Sequence, residues 1–308
     1  MRDVPLVGPI ERALHLRSLA MFEGLPSREI ALTSQLMTEE RYARGTVLSQ
    51  DGMPPAKFGL LVEGRVRNER GGRILGIAEP SRLVGLSGVL GGRPASVKSV
   101  AETNVTLLSI DAQDFLDVLE DRFAVFQQLR KSYAANVASL QRKLGVFRTS
   151  GPVNENPTSP PAGKLSIVEQ LIFLQRTSVF RGIPINVLAH LLHDEHELRA
   201  EAGQTLWRDG DPSSLVIAIV SGRVQCGGEG VAGAFVAGPG YVLGADAGLG
   251  EIPYSYDAVT ATPVVAVCVK ASALTDFMED HFELGRRSLE HFAREEVRLL
   301  ERASDVPG

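Results

Sequence analysis

Phe22-Glu23-Gly24-Leu25-Pro26 recurs 158 residues later as Phe180-Arg181-Gly182-Ile183-Pro184, and this repeat decides the fold. Three glycines recur at the same distance: Gly45, Gly52 and Gly64 return as Gly203, Gly210 and Gly222. A glycine that is kept in two otherwise divergent copies marks a backbone position that needs positive φ or close approach. The chain is therefore predicted to consist of two copies of one domain.

The length of the chain agrees with two domains. Its 308 residues allow two copies that each bury a core of their own. We predict that the first copy spans residues 12–148 and the second residues 164–303. The stretch between them, 149–163, carries four prolines and no apolar periodicity, which predicts a linker.

Composition restricts the class of protein. With 44% hydrophobic and 22% charged residues, the chain has the composition of a soluble globular protein. No run approaches the roughly 18 apolar residues of a membrane span, and the start lacks the apolar core of a signal peptide. We expect a cytoplasmic protein with no membrane contact. Cys226 and Cys268 lack a metal-site spacing and are expected to be two reduced thiols in strands.

Charge is divided unevenly between the two halves. Residues 1–150 carry a net charge of +4, whereas residues 151–308 carry −9. A small anion is therefore attracted more to the first copy than to the second.

Both copies show the same order of elements. A helix is predicted from Ser27 to about Glu40, and its counterpart from Ile185 to about Arg199. Short β patterns separated by glycines follow, among them Thr46-Val47-Leu48, Phe58–Val62 and Val105–Ile110. A long amphipathic helix closes each copy, with apolar residues spaced by three and four from Phe115 to Leu144 and from Leu274 to Leu299.

This order, with its motifs, resembles the cyclic-nucleotide-binding domain. The motifs are the Phe-x-Gly-Leu/Ile-Pro opening, Gln50-Asp51-Gly52 with Arg208–Asp211, and Leu61–Val66 with Ile219–Val224. The resemblance covers nearly the whole chain apart from the linker and the first dozen residues. It implies an α+β fold with two tandem antiparallel β-rolls (jelly rolls), each flanked by an N-terminal helical segment and a long C-terminal helix.

The family holds its ligand in a cassette. The resemblance implies a Gly-Glu start whose glutamate accepts from the ribose, and an arginine that pairs with the cyclic phosphate in a forked contact. It further implies that backbone N–H groups of a short helix inside the cassette face the anion.

The first cassette, Val84–Ala101, departs from this pattern. Leu86 stands at the glutamate position and Ala95 at the arginine position, while Arg93 lies two residues early. A shift of register brings either Arg93 or Lys98 to the phosphate. The candidate ligand residues of the first copy are Gly85, Leu86, Ser87, Arg93, Ala95 and Ser96.

The second cassette, Leu243–Ala261, departs further. The equivalent residues are Gly244, Ala245, Ser255 and Tyr256, and no Lys or Arg occurs between Arg223 and Lys270. A buried phosphate without a countercharge costs several kcal/mol, so we expect this copy not to bind cyclic nucleotides.

Other clusters carry less weight. His190, His193 and His196 are spaced by three on a predicted helix, and polar positions of an amphipathic helix explain them better than a metal site. Four arginines, Arg65, Arg67, Arg70 and Arg73, are better explained as a solvated hairpin than as a basic binding face. Neither a nucleophile elbow nor a phosphate loop appears, so we expect no enzyme, no metal and no resident cofactor.

Two classes of function remain. In the first, the chain is a regulatory sensor in which a cyclic nucleotide or another small anion in the first copy repositions a long helix and alters a partner. In the second, it is a scaffold that has lost its ligand and uses its long helices for docking or dimerisation. A transcription regulator without its DNA-binding module is the least favoured, and we expect no DNA binding.

Self-association is predicted through the first long helix. Its apolar stripe is longer than one small roll can cover. The expected homodimer or partner face is the C-terminal half of this helix, with Tyr133, Val137, Leu140 and Leu144.

Overall fold

A computed structural model describes residues 7–50, 52, 55–91, 97–146, 161, 163–192, 197–227 and 233–305. The chain forms two compact units, one of residues 1–137 and 286–308 and one of residues 138–285. The second copy therefore contributes its last helix to the first unit. The domain limits predicted from the repeat stay a prediction.

The first copy builds a roll between helices. Its elements are α1 (Pro9–Arg17), α2 (Ser27–Gln35), β1 (Thr38–Tyr42), β2 (Val47–Ser49), β3 (Lys57–Glu63), β4 (Val66–Arg70), β5 (Arg73–Ala78), β6 (Leu83–Val84), α3 (Leu86–Leu90), β7 (Lys98–Ala101), β8 (Val105–Asp111), α4 (Ala112–Asp121) and α5 (Phe123–Leu144). The strands form two antiparallel sheets in the orders β1-β8-β3-β6 and β2-β7-β4-β5. Apolar side chains of both sheets share one core: Leu61, Val66, Val84, Ala101, Val105 and Leu107.

The second copy repeats the plan. Its elements are α6 (Ile167–Arg176), α7 (Ile185–Leu188), β9 (Glu197–Ala200), β10 (Thr205–Trp207), β11 (Leu215–Ser221), β12 (Val224–Cys226), β13 (Phe235–Ala237), β14 (Val242–Leu243), α8 (Ala245–Gly250), β15 (Ala258–Thr260), β16 (Val264–Lys270), α9 (Ala271–Asp280) and α10 (Phe282–Asp305). Its sheets run β9-β16-β11-β14 and β10-β15-β12-β13, again antiparallel. The predicted tandem α+β rolls are confirmed.

The recurring glycines have the predicted backbone. Gly64 and Gly222 end β3 and β11 with φ of 92° and 87°. A side chain at either position collides with a backbone carbonyl, that of Asn104 in the first copy and that of Pro263 in the second. Only glycine fits at this turn, which is why it survives in both copies.

Four helix predictions are wrong in their limits. The predicted opening helices are too long, because Glu40 lies in β1 and Arg199 in β9. Each long closing helix is also broken into two. The breaks fall at Arg122 (φ −134°, ψ 78°) and at His281 (φ −133°, ψ 70°), where the backbone leaves the helical conformation for one residue.

Candidate functional site

The first cassette begins at the junction between β6 and α3. Gly85 is left-handed, with φ of 90°, and precedes the first turn of α3. Leu86, at the position where the resemblance implies a glutamate, has a buried side chain. Arg93, Ala95 and Ser96 lie outside the described residues. Gly85, Leu86 and Ser87 are therefore the predicted residues that the structure brings together.

Ser87 joins the cassette to both long helices of the first unit. Its Oγ lies 3.0 Å from the Tyr133 hydroxyl on α5 and donates to Glu296 Oε2 on α10 at 2.9 Å. Asn136 Nδ2 on α5 donates to the other Glu296 oxygen at 3.3 Å. Burial raises the pKa of Glu296, although its bonds to Ser87 and Asn136 act against that rise. The carboxyl group of Glu296 thus bonds to Ser87, which is the residue that follows Leu86 in the cassette.

A second contact holds the far end of α3. Arg294 Nε donates to the carbonyl oxygen of Gly91 at 2.6 Å, and its Nη2 lies 2.9 Å from Glu290 Oε2. Helix α10 therefore touches both ends of the cassette helix. Sequence reasoning missed Glu296 and Arg294, because a pairing across more than 200 residues leaves no local signal.

Acidic neighbours already engage basic residues of the first roll. Lys98 Nζ lies 2.9 Å from Glu69 Oε1, and this hydrogen bond lowers the pKa of Glu69. Arg67 pairs with Glu69 at 3.3 Å and with Glu102 at 3.4 Å. The predicted arginine hairpin is confirmed, since β4 and β5 pair through a tight turn. Of the two candidates for the anion, Lys98 is committed to Glu69.

The second cassette is held by hydrogen bonds within the second roll. Gly244, left-handed with φ of 72°, precedes α8, and its N–H donates to the Tyr256 hydroxyl at 3.1 Å. Tyr254 donates to the carbonyl oxygen of Leu215 at 2.7 Å and accepts from the same residue's N–H at 3.0 Å. Burial raises the pKa of Tyr256, although the hydrogen bond from the Gly244 N–H acts against that rise.

Aromatic rings fill the interior beside this cassette. Trp207 and Tyr254 stack with ring centroids 4.2 Å apart and planes within 10°. Phe235 meets Tyr256 edge-on at 5.7 Å. The predicted residues Ala245 and Ser255 add no charge. Rings and backbone therefore occupy this end of the second roll.

The first roll has small residues at the same four positions. By the spacing of the repeat, Trp207, Phe235, Tyr254 and Tyr256 correspond to Ser49, Gly76, Pro94 and Ser96. Each aromatic ring buries on the order of 150–250 Å². In sequence, the two copies therefore differ in side-chain volume at these four positions as well as in charge. The exchange of aromatic for small residues is visible in the sequence, but a comparison of charges alone does not find it.

The predicted dimer face is partly covered within the chain. Tyr133 and Val137 are 3% and 1% exposed, whereas Leu140 and Leu144 are partly exposed. The prediction that Tyr133 and Val137 lie on an intermolecular face is therefore corrected, because both side chains are covered within the chain. Self-association itself stays a prediction.

Cys226 and Cys268 are buried free thiols in strands, as expected, and burial raises the pKa of both. His190 lies in a 3₁₀ turn, not an α-helix, while His193 and His196 are outside the described residues. The described ranges hold no group of three side chains suited to a metal ion. None of the helices within them is long and apolar enough to cross a membrane.

Two antiparallel rolls, each with a glycine-led cassette helix and long closing helices, define the class of protein. Residues 39–122 and 197–281 match the model of the cyclic nucleotide-binding domain, and together they make up more than half of the chain. The chain belongs to the cyclic nucleotide-binding domain family.

Similar proteins include regulators. A CRP-like cAMP-activated global transcriptional regulator of Mycobacterium tuberculosis (strain CDC 1551 / Oshkosh) is 26% identical over 137 residues, 43% of this chain and 61% of the relative. The chain thus spans about three fifths of the length of the curated relatives it matches. The regulatory domain of Toxoplasma gondii PKA with cAMP is 13% identical, with 97% of each chain covered and a TM-score of 0.35. The N-terminal domain of a Streptomyces coelicolor A3(2) transcriptional regulator is 27% identical over 37% of this chain and 85% of that one, with a TM-score of 0.34.

Proposed function

We propose that this chain is a non-catalytic regulatory sensor whose effector site is the first cassette. The observation that carries the proposal is the position of Ser87, which bonds Tyr133 on α5 and Glu296 on α10. A small molecule that binds beside Ser87 changes these contacts. Its binding energy is thereby linked to the arrangement of both long helices, which is what a regulatory domain requires.

The proposed effector is a small anion. The first half of the chain carries the positive net charge, and Arg93 is the only arginine in either cassette. The Mycobacterium relative is described as cAMP-activated, which makes cyclic AMP the first compound to test. Leu86 offers no acceptor for a ribose hydroxyl, so we expect another anion to bind better than cyclic AMP.

The second domain is proposed to be structural. A nucleotide there has to displace the stacked Trp207 and Tyr254 rings and the Tyr256–Gly244 hydrogen bond. It also finds no countercharge for its phosphate. Both costs act in the same direction, and each amounts to several kcal/mol.

Thermal unfolding of the full chain with a panel of ligands tests the proposal. The panel holds cyclic AMP, cyclic GMP, cyclic dinucleotides and small organic anions, since any ligand of the native state raises the midpoint. We expect at least one anion to raise it, and Arg93→Ala to abolish the shift. Arg82→Ala, at an exposed site of the same copy, is the matched control and keeps the shift.

A panel without any shift contradicts the sensor and favours the scaffold, in which the long helices serve docking or dimerisation. A shift that survives Arg93→Ala contradicts the site. The full chain is required, because cutting at the linker removes α10 from the first unit.

A further inference from the structure

The inner face of the first roll, the face of each sheet that looks towards the other sheet, carries charged residues. Glu40 on β1 is opposite Leu107 on β8, and cross-strand partners share a face of the sheet. Leu107 belongs to the core between the two sheets, and Tyr42 packs against the same core. The carbonyl oxygen of Lys57, at the start of β3, lies 3.4 Å from a Cβ built at Gly85. The charged residues therefore lie beside the start of the first cassette.

Hydrogen bonds fix the carboxylate of Glu40 in place. Lys57 Nζ donates to Glu40 Oε1 and the Tyr42 hydroxyl donates to Glu40 Oε2, each at 2.7 Å, and Ser109 on β8 adds a third side-chain hydrogen bond. Burial acts to raise the pKa of Glu40, but these hydrogen bonds, that of Lys57 first, hold it below its ordinary value. The side chains of Lys57 and Glu40 are 49% and 25% exposed, so a small molecule can reach both.

The second roll is apolar at the same positions. By the spacing of the repeat, Glu40 corresponds to Leu198 and Lys57 to Leu215, and both leucines pack against the core of the second roll. The fold therefore does not require this ion pair. Charged groups that are partly removed from water cost free energy unless a partner compensates them. Their presence in the first roll alone indicates a role in binding.

The facing sheet of the first roll is also polar at this end. Ser99 is 3% exposed and donates to Asn68 Oδ1 at 2.7 Å. Gly76 is opposite Asn68, and a Cβ built at Gly76 meets nothing within 4 Å. In the second roll Phe235 occupies the position of Gly76 and packs against the core. The first roll therefore offers polar groups and open space where the second has an aromatic ring.

Two opposite charges side by side favour a particular class of ligand. An anion bound to Lys57 alone is repelled by the Glu40 carboxylate next to it, and a cation bound to Glu40 alone is repelled by Lys57. A ligand that carries both an ammonium and a carboxylate satisfies both residues through charge-assisted hydrogen bonds. The ion pair of the free protein is then exchanged for two pairs with the ligand.

We infer that Glu40 and Lys57 form a specificity site for the effector of the first roll, in which Glu40 binds an ammonium group and Lys57 a carboxylate. The inference rests on the proposed function, which places an anionic group of the effector at the adjacent cassette. The effector is then a small anion built on an amino acid, as a phosphorylated amino acid is. Neither residue belongs to the cassette, and neither departs from the repeat by more than one side chain.

Matched compounds test the inference by calorimetric titration of the full chain. O-phosphoserine carries phosphate, ammonium and carboxylate, whereas 3-phosphoglycerate has a hydroxyl in place of the ammonium and phosphoethanolamine lacks the carboxylate. Inorganic phosphate supplies the anion alone. Over a range of about 0.1 to about 10 mM, we expect O-phosphoserine to bind at least about tenfold more tightly than each of the other three.

Variants of the two residues link this preference to the site. Glu40→Gln and Lys57→Met should each weaken the binding of O-phosphoserine about tenfold and leave that of inorganic phosphate unchanged. Arg41→Met is the matched control, because Arg41 pairs with Glu39 at the same distance of 2.7 Å on the same strand. The double variant Glu40→Leu, Lys57→Leu installs the residues with which the second roll folds, and it should bind all four compounds equally weakly.

The possible failures are distinguishable. Equal binding of O-phosphoserine and 3-phosphoglycerate overturns the inference, as does a preference for O-phosphoserine that survives in the double variant. If none of the four compounds binds while another anion raises the unfolding midpoint in a manner that depends on Arg93, the inference is wrong and the sensor stands. If no anion of any kind binds, both fail.

Discussion

The two rolls share a fold but differ in what occupies the end next to the cassette. In the second roll Trp207, Tyr254 and Tyr256 occupy that end, and Gly244 is bonded to one of them. In the first roll the cassette helix is instead bonded outward, from Ser87 to α5 and α10. The difference teaches that one fold accommodates either aromatic side chains or small residues at this end, while the two sheets stay the same.

A second contrast concerns the long helices. Residues from Arg286 onward belong to the first unit although they follow the second roll in sequence. Within that unit Glu296 and Arg294 contact the cassette helix. The last helix of the second copy thus supplies the first cassette with contacts that lie far away in the sequence.

The largest expected effect is on the aromatic filling of the second roll. Trp207→Ala removes one of the two stacked rings from a buried cluster, and we expect the free energy of unfolding to fall by about 3–5 kcal/mol. Denaturant unfolding measures it. Ser49→Ala, at the equivalent position of the first roll, is the matched control and should cost less than about 1 kcal/mol. Equal losses at both positions would mean that the two rolls are filled alike.

A smaller effect is expected at the hydrogen bond that closes the second cassette. Tyr256→Phe leaves the Gly244 N–H without its acceptor, which should cost about 1–3 kcal/mol and speed hydrogen exchange at that amide. Tyr241→Phe is the control, since no hydrogen bond of its hydroxyl occurs among the described residues. If hydrogen exchange at the Gly244 amide is unchanged in Tyr256→Phe, the hydrogen bond between Gly244 and Tyr256 does not protect this amide.

The smallest effect is a change of stability with pH at Glu296. Because burial raises the pKa of this carboxyl, the native state holds its proton more tightly than the unfolded chain. Its contribution is present below the ordinary pKa of 4.5 and is lost as the pH rises through the native value. Glu296→Gln does not ionise. The free energy of unfolding of this variant, measured relative to that of the wild type, should therefore increase as the pH rises from 4.5 towards neutrality.

Ser87→Ala sharpens the same comparison. The Ser87 hydrogen bond lowers the pKa of Glu296, so its removal should raise that pKa further and steepen the loss of stability with pH. Thermal unfolding at several pH values measures both variants. If the stability of Glu296→Gln relative to the wild type falls as the pH rises, the carboxyl group is not desolvated in the native state.

The sequence predicts the rolls well because their determinants are local. Gly64 and Gly222 are fixed by a backbone that tolerates no side chain, and the strands from Phe58 and Val105 by short apolar runs. The breaks at Arg122 and His281 were missed, because apolar spacing continues across a single non-helical residue. Helical periodicity predicts which face of a helix is buried, but it does not predict a break of one residue within the helix.

The site is harder to predict than the fold. Leu86 and Ala245 show that the glutamate is missing from both cassettes, but neither points to Glu296, which lies 209 residues beyond Ser87. That contact depends on the path of α10, which no local pattern encodes. The burial of Tyr133 and Val137 within the chain was missed for the same reason.

Calorimetric titration of the full chain tests the central claim most directly. The account predicts that neither domain binds cyclic AMP at micromolar affinity or better, since a lost charge-assisted contact costs about 2–5 kcal/mol. Any weaker anion binding should occur at one site per chain, disappear in Arg93→Ala and persist in Ser255→Ala. Two sites per chain, tight binding of cyclic AMP, or binding that survives Arg93→Ala would contradict the account.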